Sequence, residues 1–212
     1  MAIPAEFSDL KGAVDDLAGL DVTDTERDRL INEGHIELCV RSGFSKATLN
    51  LGPTVAGQAE YTIPATVRKI LHLAVNGRPY APTDDQAMLN QTLGYIESRS
   101  DGHWWISYSA AAVRQLSIEP TTEAGNAISA LCVVQPAVMT ADSDKPLVPP
   151  DFRQAIVDYV AMISLGGAED DLEGRAFHRD EFERQLARLT NLVNEIESGE
   201  GPVQIMISGV HY

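Results

Sequence analysis

The spacing of apolar residues changes period twice along this chain, and a chain patterned in that way is neither all helix nor all sheet. Leu30, Ile31, Gly34 and Leu38 recur at helical spacing, with Arg29, Glu33 and Glu37 off their face, which predicts an amphipathic helix. In front of it, Thr23 and Glu26 have the spacing of a capping box, where a hydroxyl accepts from the third backbone N–H and the acid reaches back. Gly43 stands where a left-handed residue would end the last turn. A shorter helix over 8–20, carrying Leu10, Val14 and Leu17, is expected to precede it.

In the middle of the chain the period falls to two. Tyr61 and Ile63 alternate, and 70–75 is a short apolar run with Leu71, Leu73 and Val75 on one side. Asn76-Gly77 follows at once, the dipeptide that best accepts the positive φ angles of a type I′ hairpin turn. Strands over 95–98 and 103–108 flank Asp101-Gly102, and strands over 116–119 and 128–134 flank the longer connection 120–126. A second and a third hairpin are therefore expected. Thr83-Asp84-Asp85 would cap one helical turn through Leu89. About six or seven antiparallel strands make a compact β-domain.

The helical period then returns. Pro149-Pro150-Asp151 reads as a stop followed by an N-cap, and Phe152, Ile156, Tyr159, Val160 and Ile163 form one stripe. Gly166-Gly167 breaks that helix. Acidic residues crowd 169–173, the next helix start, where the macrodipole favours them. Phe182, Leu186, Leu189, Val193 and Ile196 repeat with alternating spacings of four and three, a seam that packs on another helix. Residues 199–202 end it, and 203–212 is an apolar, strand-prone piece with no sequence neighbour to pair with. The expected fold is α+β: a helical bundle formed by 1–44 and 148–198, an inserted antiparallel β-domain over 45–147, and an extended C-terminal tail over 199–212.

Charge follows the same division. The chain has 16 Lys and Arg against 31 Asp and Glu, a net charge of −15. Residues 1–41 hold −6 of it, 42–147 hold −2 and 148–212 hold −7. Such a balance argues against a nucleic-acid binder that works by releasing counterions from phosphate, and against attachment to an anionic membrane. No basic leader with an apolar run opens the sequence, and no apolar stretch reaches the ~18 residues of a membrane span. The expectation is a soluble protein made in a cytoplasm, with Cys39 and Cys132 as small core thiols rather than a disulfide.

Nothing in the pattern marks catalytic chemistry. His35, His72, His103, His178 and His211 are scattered, with no helical pair spacing of the zinc-enzyme type. Neither cysteine belongs to a Cys-x-x-Cys pair. Ser164 to Ala168 contains a glycine pair but neither the spacing nor the lysine of a phosphate loop. Asp84-Asp85 and Asp142 with Asp144 read as solvated loops, and Asn90-Gln91-Thr92 is a glycosylation sequon without a secretory context. No cofactor or metal site is expected. Trp104-Trp105 is more informative, because adjacent strand residues face opposite ways: one ring fills the core, and the other is either an outward anchor or part of a second buried layer. The tail poses a like choice, between a frayed end and a strand that pairs with a neighbouring chain.

The order of motifs carries a resemblance. Arg41-Ser42-Gly43-Phe44 ends the first helices. Glu60-Tyr61-Thr62-Ile63-Pro64, Asn76-Gly77-Arg78-Pro79 and Leu116-Ser117-Ile118-Glu119-Pro120 mark the strands. Leu147-Val148-Pro149-Pro150-Asp151-Phe152 then opens a helix containing Asp158-Tyr159. Over roughly 30–192 this pattern resembles the head-to-tail adaptor (connector) proteins of tailed bacteriophages. That resemblance implies a helical bundle, in some members with a β-rich insertion. It implies assembly as a homo-oligomeric ring, typically a dodecamer, that docks on the portal protein beneath a DNA-filled head and meets a downstream neck or tail protein. DNA would pass through without specific binding. The protein would be a non-enzymatic part of the virion neck, assembled in the bacterial host cytoplasm and without cofactor. The tail, with Val203, Ile205, Ile207, Val210 and Tyr212, would dock on the portal or a neighbouring subunit. Asp15, Asp16, Glu169, Asp170 and Asp171 would line or flank the channel, repelling phosphate. A tail-completion or terminator ring of the same neck is the nearest alternative, and an enzyme with a site assembled from dispersed residues is the alternative of another class.

Overall fold

The computed structural model describes residues 4–17, 22–83, 102–108, 113–119, 123–165 and 172–198. Two compact units divide the chain: Met1–Ser45 with Gln135–Tyr212, and Lys46–Val134.

The first unit is helical. Helix α1 spans Phe7–Asp15 and helix α2 spans Asp24–Ser42. After the strands come a 3-10 turn over Pro150–Phe152, helix α3 over Gln154–Ser164 and helix α4 over Leu172–Ser198. Thr23 caps α2, its hydroxyl accepting from the Glu26 N–H at 3.3 Å, while the Glu26 carboxylate lies 3.6 Å from Arg29. Gly43 closes α2 in the left-handed region at φ 71°. Stripes from all four helices share one core, with Phe7, Leu10, Leu30, Leu38, Ile156 and Leu189 among its members. Helix α3 is its centre: Ala155, Ile156, Val157, Asp158, Val160 and Ala161 are all buried, so it is enclosed on most sides. Gly34 lets α2 come close to it, since a Cβ at Gly34 would stand 2.9 Å from the Tyr159 ring. That ring in turn tilts on Phe182 of α4, centroids 5.4 Å apart.

Three helical expectations are corrected. Helix α1 ends at Asp15 instead of running to Leu20. Asp151 does not cap a helix, because the paired prolines set up a 3-10 turn that contains it and α3 begins only at Gln154. Ile163 and Ile196, the last members of their stripes, are exposed, each in the final turn of its helix. Residues 135–147, expected in the inserted domain, group with the helices, and Met139 enters their core.

The second unit is a seven-stranded mixed sheet in the order β1-β7-β3-β4-β5-β6-β2. Its strands are β1 Lys46–Pro53, β2 Glu60–Thr62, β3 Val67–Val75, β4 Arg78–Pro82, β5 His103–Tyr108, β6 Arg114–Glu119 and β7 Ala127–Val134. The β3–β4 hairpin forms at Asn76-Gly77, with Val75 opposite Arg78 and φ angles of 51° and 74° at the two turn residues. Tyr61, Ile63, Leu73, Trp104, Leu116 and Ile128 help build one core on one face.

The sheet differs from the expected set of antiparallel hairpins in three ways. Strands β4 and β5 run parallel, a pairing that no tight hairpin can connect. The third hairpin does not form: β6 pairs with β5 and β2, and β7 with β1 and β3. Register shifts interrupt β3 between Val67 and Lys69 and between Ile70 and His72. Each extra residue moves the inward positions along by one, so Val67, Ile70, Leu73 and Val75 are buried and Leu71 leaves the face it was expected to share with Leu73. The expected strand 95–98, the turn after Thr83 and the break at Gly166-Gly167 lie outside the described residues.

Candidate functional site

Four buried or half-buried polar side chains stand out in the helical unit, and each holds a distant piece of chain. The Asn32 amide exchanges two hydrogen bonds with the backbone of Met139. His35 accepts from the Leu147 N–H through Nε2 at 3.0 Å. This leaves the ring proton on Nδ1, which is buried without a partner. Burial first, and the Arg153 charge second, push its pKa down to about 4, so the ring is neutral. The Arg153 guanidinium donates to the carbonyls of Pro4 and Ala5 at 2.9 and 2.8 Å and to Val148, tying the chain start to the entry of α3. Asp158 of α3 meets His178 Nδ1 of α4 at 2.9 Å. Burial raises the Asp158 pKa, and the His178 hydrogen bond opposes that rise.

An Asp–His pair is part of many acyl-transfer sites, but such a site also needs a hydroxyl or thiol in reach of the ring. The cysteines are poor candidates. Cys39 is fully buried, its thiol pushed up to about 12, and Cys132 is buried in the core of the other unit. Among the described residues, no three His, Cys, Asp or Glu side chains group as metal ligands, and no helix is long and apolar enough to cross a membrane. A groove on α4 is lined by Arg41, Glu183, Leu186, Ala187, Thr190 and Asn191, but Arg41 and Glu183 already satisfy one another there in a two-pronged pair at 2.8 and 2.9 Å.

Cations pair with part of the acidic surface. Asp15, at the end of α1, binds Arg27 through both oxygens at 2.9 Å, and Asp16 beside it is exposed. Lys11 reaches Asp28 and Asp142, and Arg29 pairs with Glu33. Glu169, Asp170 and Asp171, and the tail residues Val203, Ile205, Ile207, Val210 and Tyr212, lie outside the described residues. Of the two tryptophans, Trp104 fills the sheet core and donates from Nε1 to the Tyr80 carbonyl at 3.1 Å, while Trp105 is half-buried. The roles of Asn32 and Arg153 were not visible in sequence. Their only signal was a polar group among buried neighbours.

What the described residues of the two units offer is packed scaffold and surface. The chain belongs to the SU10 adaptor protein family, a family of phage head-to-tail adaptors, which it matches over residues 5–205. No curated protein matches it. Membership makes it a structural component of a bacteriophage virion, with portal and tail proteins as the partners the family implies.

Proposed function

We propose that this chain forms the adaptor ring of the virion neck, one face seated on the portal and the other presented to the next neck or tail protein. The observation that carries the reading is the family match across nearly the whole chain, 5–205. The helical bundle built from both chain ends is the ring's scaffold and the sheet unit is its insertion. The tail from 199 onward, through Val203, Ile205, Ile207, Val210 and Tyr212, is the docking element for the portal or an adjacent copy. DNA passes through without being bound. Asp16, Glu169, Asp170 and Asp171 are the acidic groups that flank its path, and Asp15 contributes less, because Arg27 neutralises it. The chain performs no turnover, and the ring, a dodecamer in this reading, assembles in the host cytoplasm.

The experiment is to mix the purified chain with the portal protein of the same phage and image the product by electron microscopy. A ring of this chain on one face of the portal is expected. No complex at micromolar concentration would overturn the reading.

A further inference from the structure

The net charge hides a local inversion. Strands β1, β7 and β3 lie side by side and contain no carboxylate at all. Lys46 of β1 and Lys69 of β3 are both in register with Val133 of β7. The three side chains therefore stand in one row, with the lysine Cα atoms about 10 Å apart across two strand spacings. The next row is Thr48, Leu131 and His72, and the one after it is Asn50, Ser129 and Ala74. This is the face opposite the sheet core, since Ile128, Ala130 and Cys132 point the other way into it. Thr48, Asn50, Lys69 and His72 are exposed, and so is Arg68, the extra residue of the first register shift, while Lys46 is half-buried and Val133 between the two lysines is buried. Arg114 adds a guanidinium close by, spread over the carbonyls of Val67 and Arg68. The like charges are near enough to be felt: the Lys46 pKa is lowered, first by burial and then by Lys69.

We infer that this cationic sheet face is the contact for a second copy of the chain, receiving an acidic surface of that copy's helical unit. The inference rests on the ring reading above. Charge complementarity selects the occupant. The sheet unit holds 6 cationic against 7 acidic residues, whereas the helical unit holds 10 against 24. Two copies at −15 each repel at long range unless they approach with unlike surfaces facing. A contact between two different patches is also the heterologous kind that propagates around a closed ring. Duplex DNA is the weaker occupant, because a few cations within a strongly acidic chain would release few counterions.

The test uses the full chain carrying Lys69→Glu and His72→Glu, both exposed positions, with circular dichroism and a thermal melt to verify folding. Assembly on the portal is read by native mass spectrometry and electron microscopy, beside wild type at 50 and 300 mM salt. The expected result is that wild type forms rings whose assembly weakens roughly tenfold across that salt range. The variant is expected to bind the portal as single copies that do not close. Variant rings indistinguishable from wild type would overturn this face while leaving the adaptor reading standing. A variant that no longer binds the portal at all would reassign the face to the portal. A short duplex DNA retarded by wild type and not by the variant, with assembly unchanged, would reassign it to nucleic acid. Wild type that fails to bind the portal would overturn the adaptor reading itself.

Discussion

The Asn32 side chain grips the backbone of Met139 in both directions: its Oδ1 accepts from the Met139 N–H at 2.7 Å and its Nδ2 donates to the Met139 carbonyl at 3.0 Å. The two residues are 107 apart in sequence, so this contact joins the returning chain to α2 much as a strand pairing would. Both are buried. Asn32→Ala leaves a peptide N–H and carbonyl without partners, and each such loss costs about 1–3 kcal/mol. Urea unfolding of the full chain should show a loss of roughly 2–6 kcal/mol on that account. Asn32→Asp should not rescue it, because a carboxylate keeps the acceptor but turns the donor into a repelling oxygen.

Gly34 makes the opposite kind of prediction, since the substitution adds an atom. Alanine is favoured over glycine within a helix by about 1 kcal/mol. Here the added methyl would meet the Tyr159 ring at 2.9 Å, and that ring is also packed on Phe182. Overpacking of this sort costs about 1–3 kcal/mol, so Gly34→Ala should be net destabilising. The cause is checked by a double-mutant cycle with Tyr159→Ala, in which the Gly34→Ala penalty should vanish or reverse. An unchanged penalty would locate the strain elsewhere.

His35 predicts how stability depends on pH. Its folded pKa, near 4, lies below the 6.5 of an unfolded histidine. The unfolded state therefore takes up the proton first as pH falls. The contribution is complete above pH 6.5 and is lost progressively down to about 4. At pH 5 the loss amounts to about 2 kcal/mol by linkage. Asp158 works in the other sense: its raised pKa makes acidification through that value favour the folded state. The His35 share is isolated by comparing unfolding free energies at pH 7.5 and 5 for wild type and His35→Gln. The variant should lose most of the slope.

The β3–β4 turn is a purely local prediction. Asn76 and Gly77 both have positive φ, and nothing lies within 4 Å of a Cβ built on Gly77. Any cost of Gly77→Ala is therefore backbone strain, about 1 kcal/mol, and Asn76→Val should cost more because a β-branched residue resists that region. Asn76→Gly should be close to neutral. Thermal melts should rank the midpoints, from highest to lowest, Asn76→Gly, Gly77→Ala and Asn76→Val.

Features that depend on neighbouring residues were legible in the sequence, and those that depend on distant ones were not. Asn76-Gly77, the Thr23 cap and the stripe from Leu30 to Leu38 needed only adjacent chemistry, and all are present. The burial of Leu71 was misread because the register shifts in β3 are set by its pairing with β7, more than fifty residues on. The pairing of β6 was misread for a like reason: nearness in sequence pointed to β7, whereas the sheet places β6 between β5 and β2. Nothing near Arg153 in sequence pointed to its partners, the carbonyls of Pro4 and Ala5, about 150 residues upstream. Of the residues expected to act, Asp15 is the clearest revision. The sequence counted it as a bare charge and did not foresee the pairing with Arg27.

Truncation at 203 leaves the described scaffold residues in place. Helix α4 delivers its core residues, Phe182, Leu186, Leu189 and Val193, before Ser198, where the helix ends. A chain lacking residues 203–212 therefore keeps every side chain of the helical core among the described residues. Its helical circular dichroism and unfolding midpoint should match those of the full chain within error. If Val203, Ile205, Ile207, Val210 and Tyr212 are the docking element, the same truncation should reduce portal binding to background in a pull-down with the phage's own portal. Replacing Ile205 and Ile207 with aspartate in the full-length chain should do the same, since charged residues cannot enter the apolar contact that these side chains would make. Undiminished binding by both variants, with folding intact, would move docking from the tail to the surfaces of the two folded units.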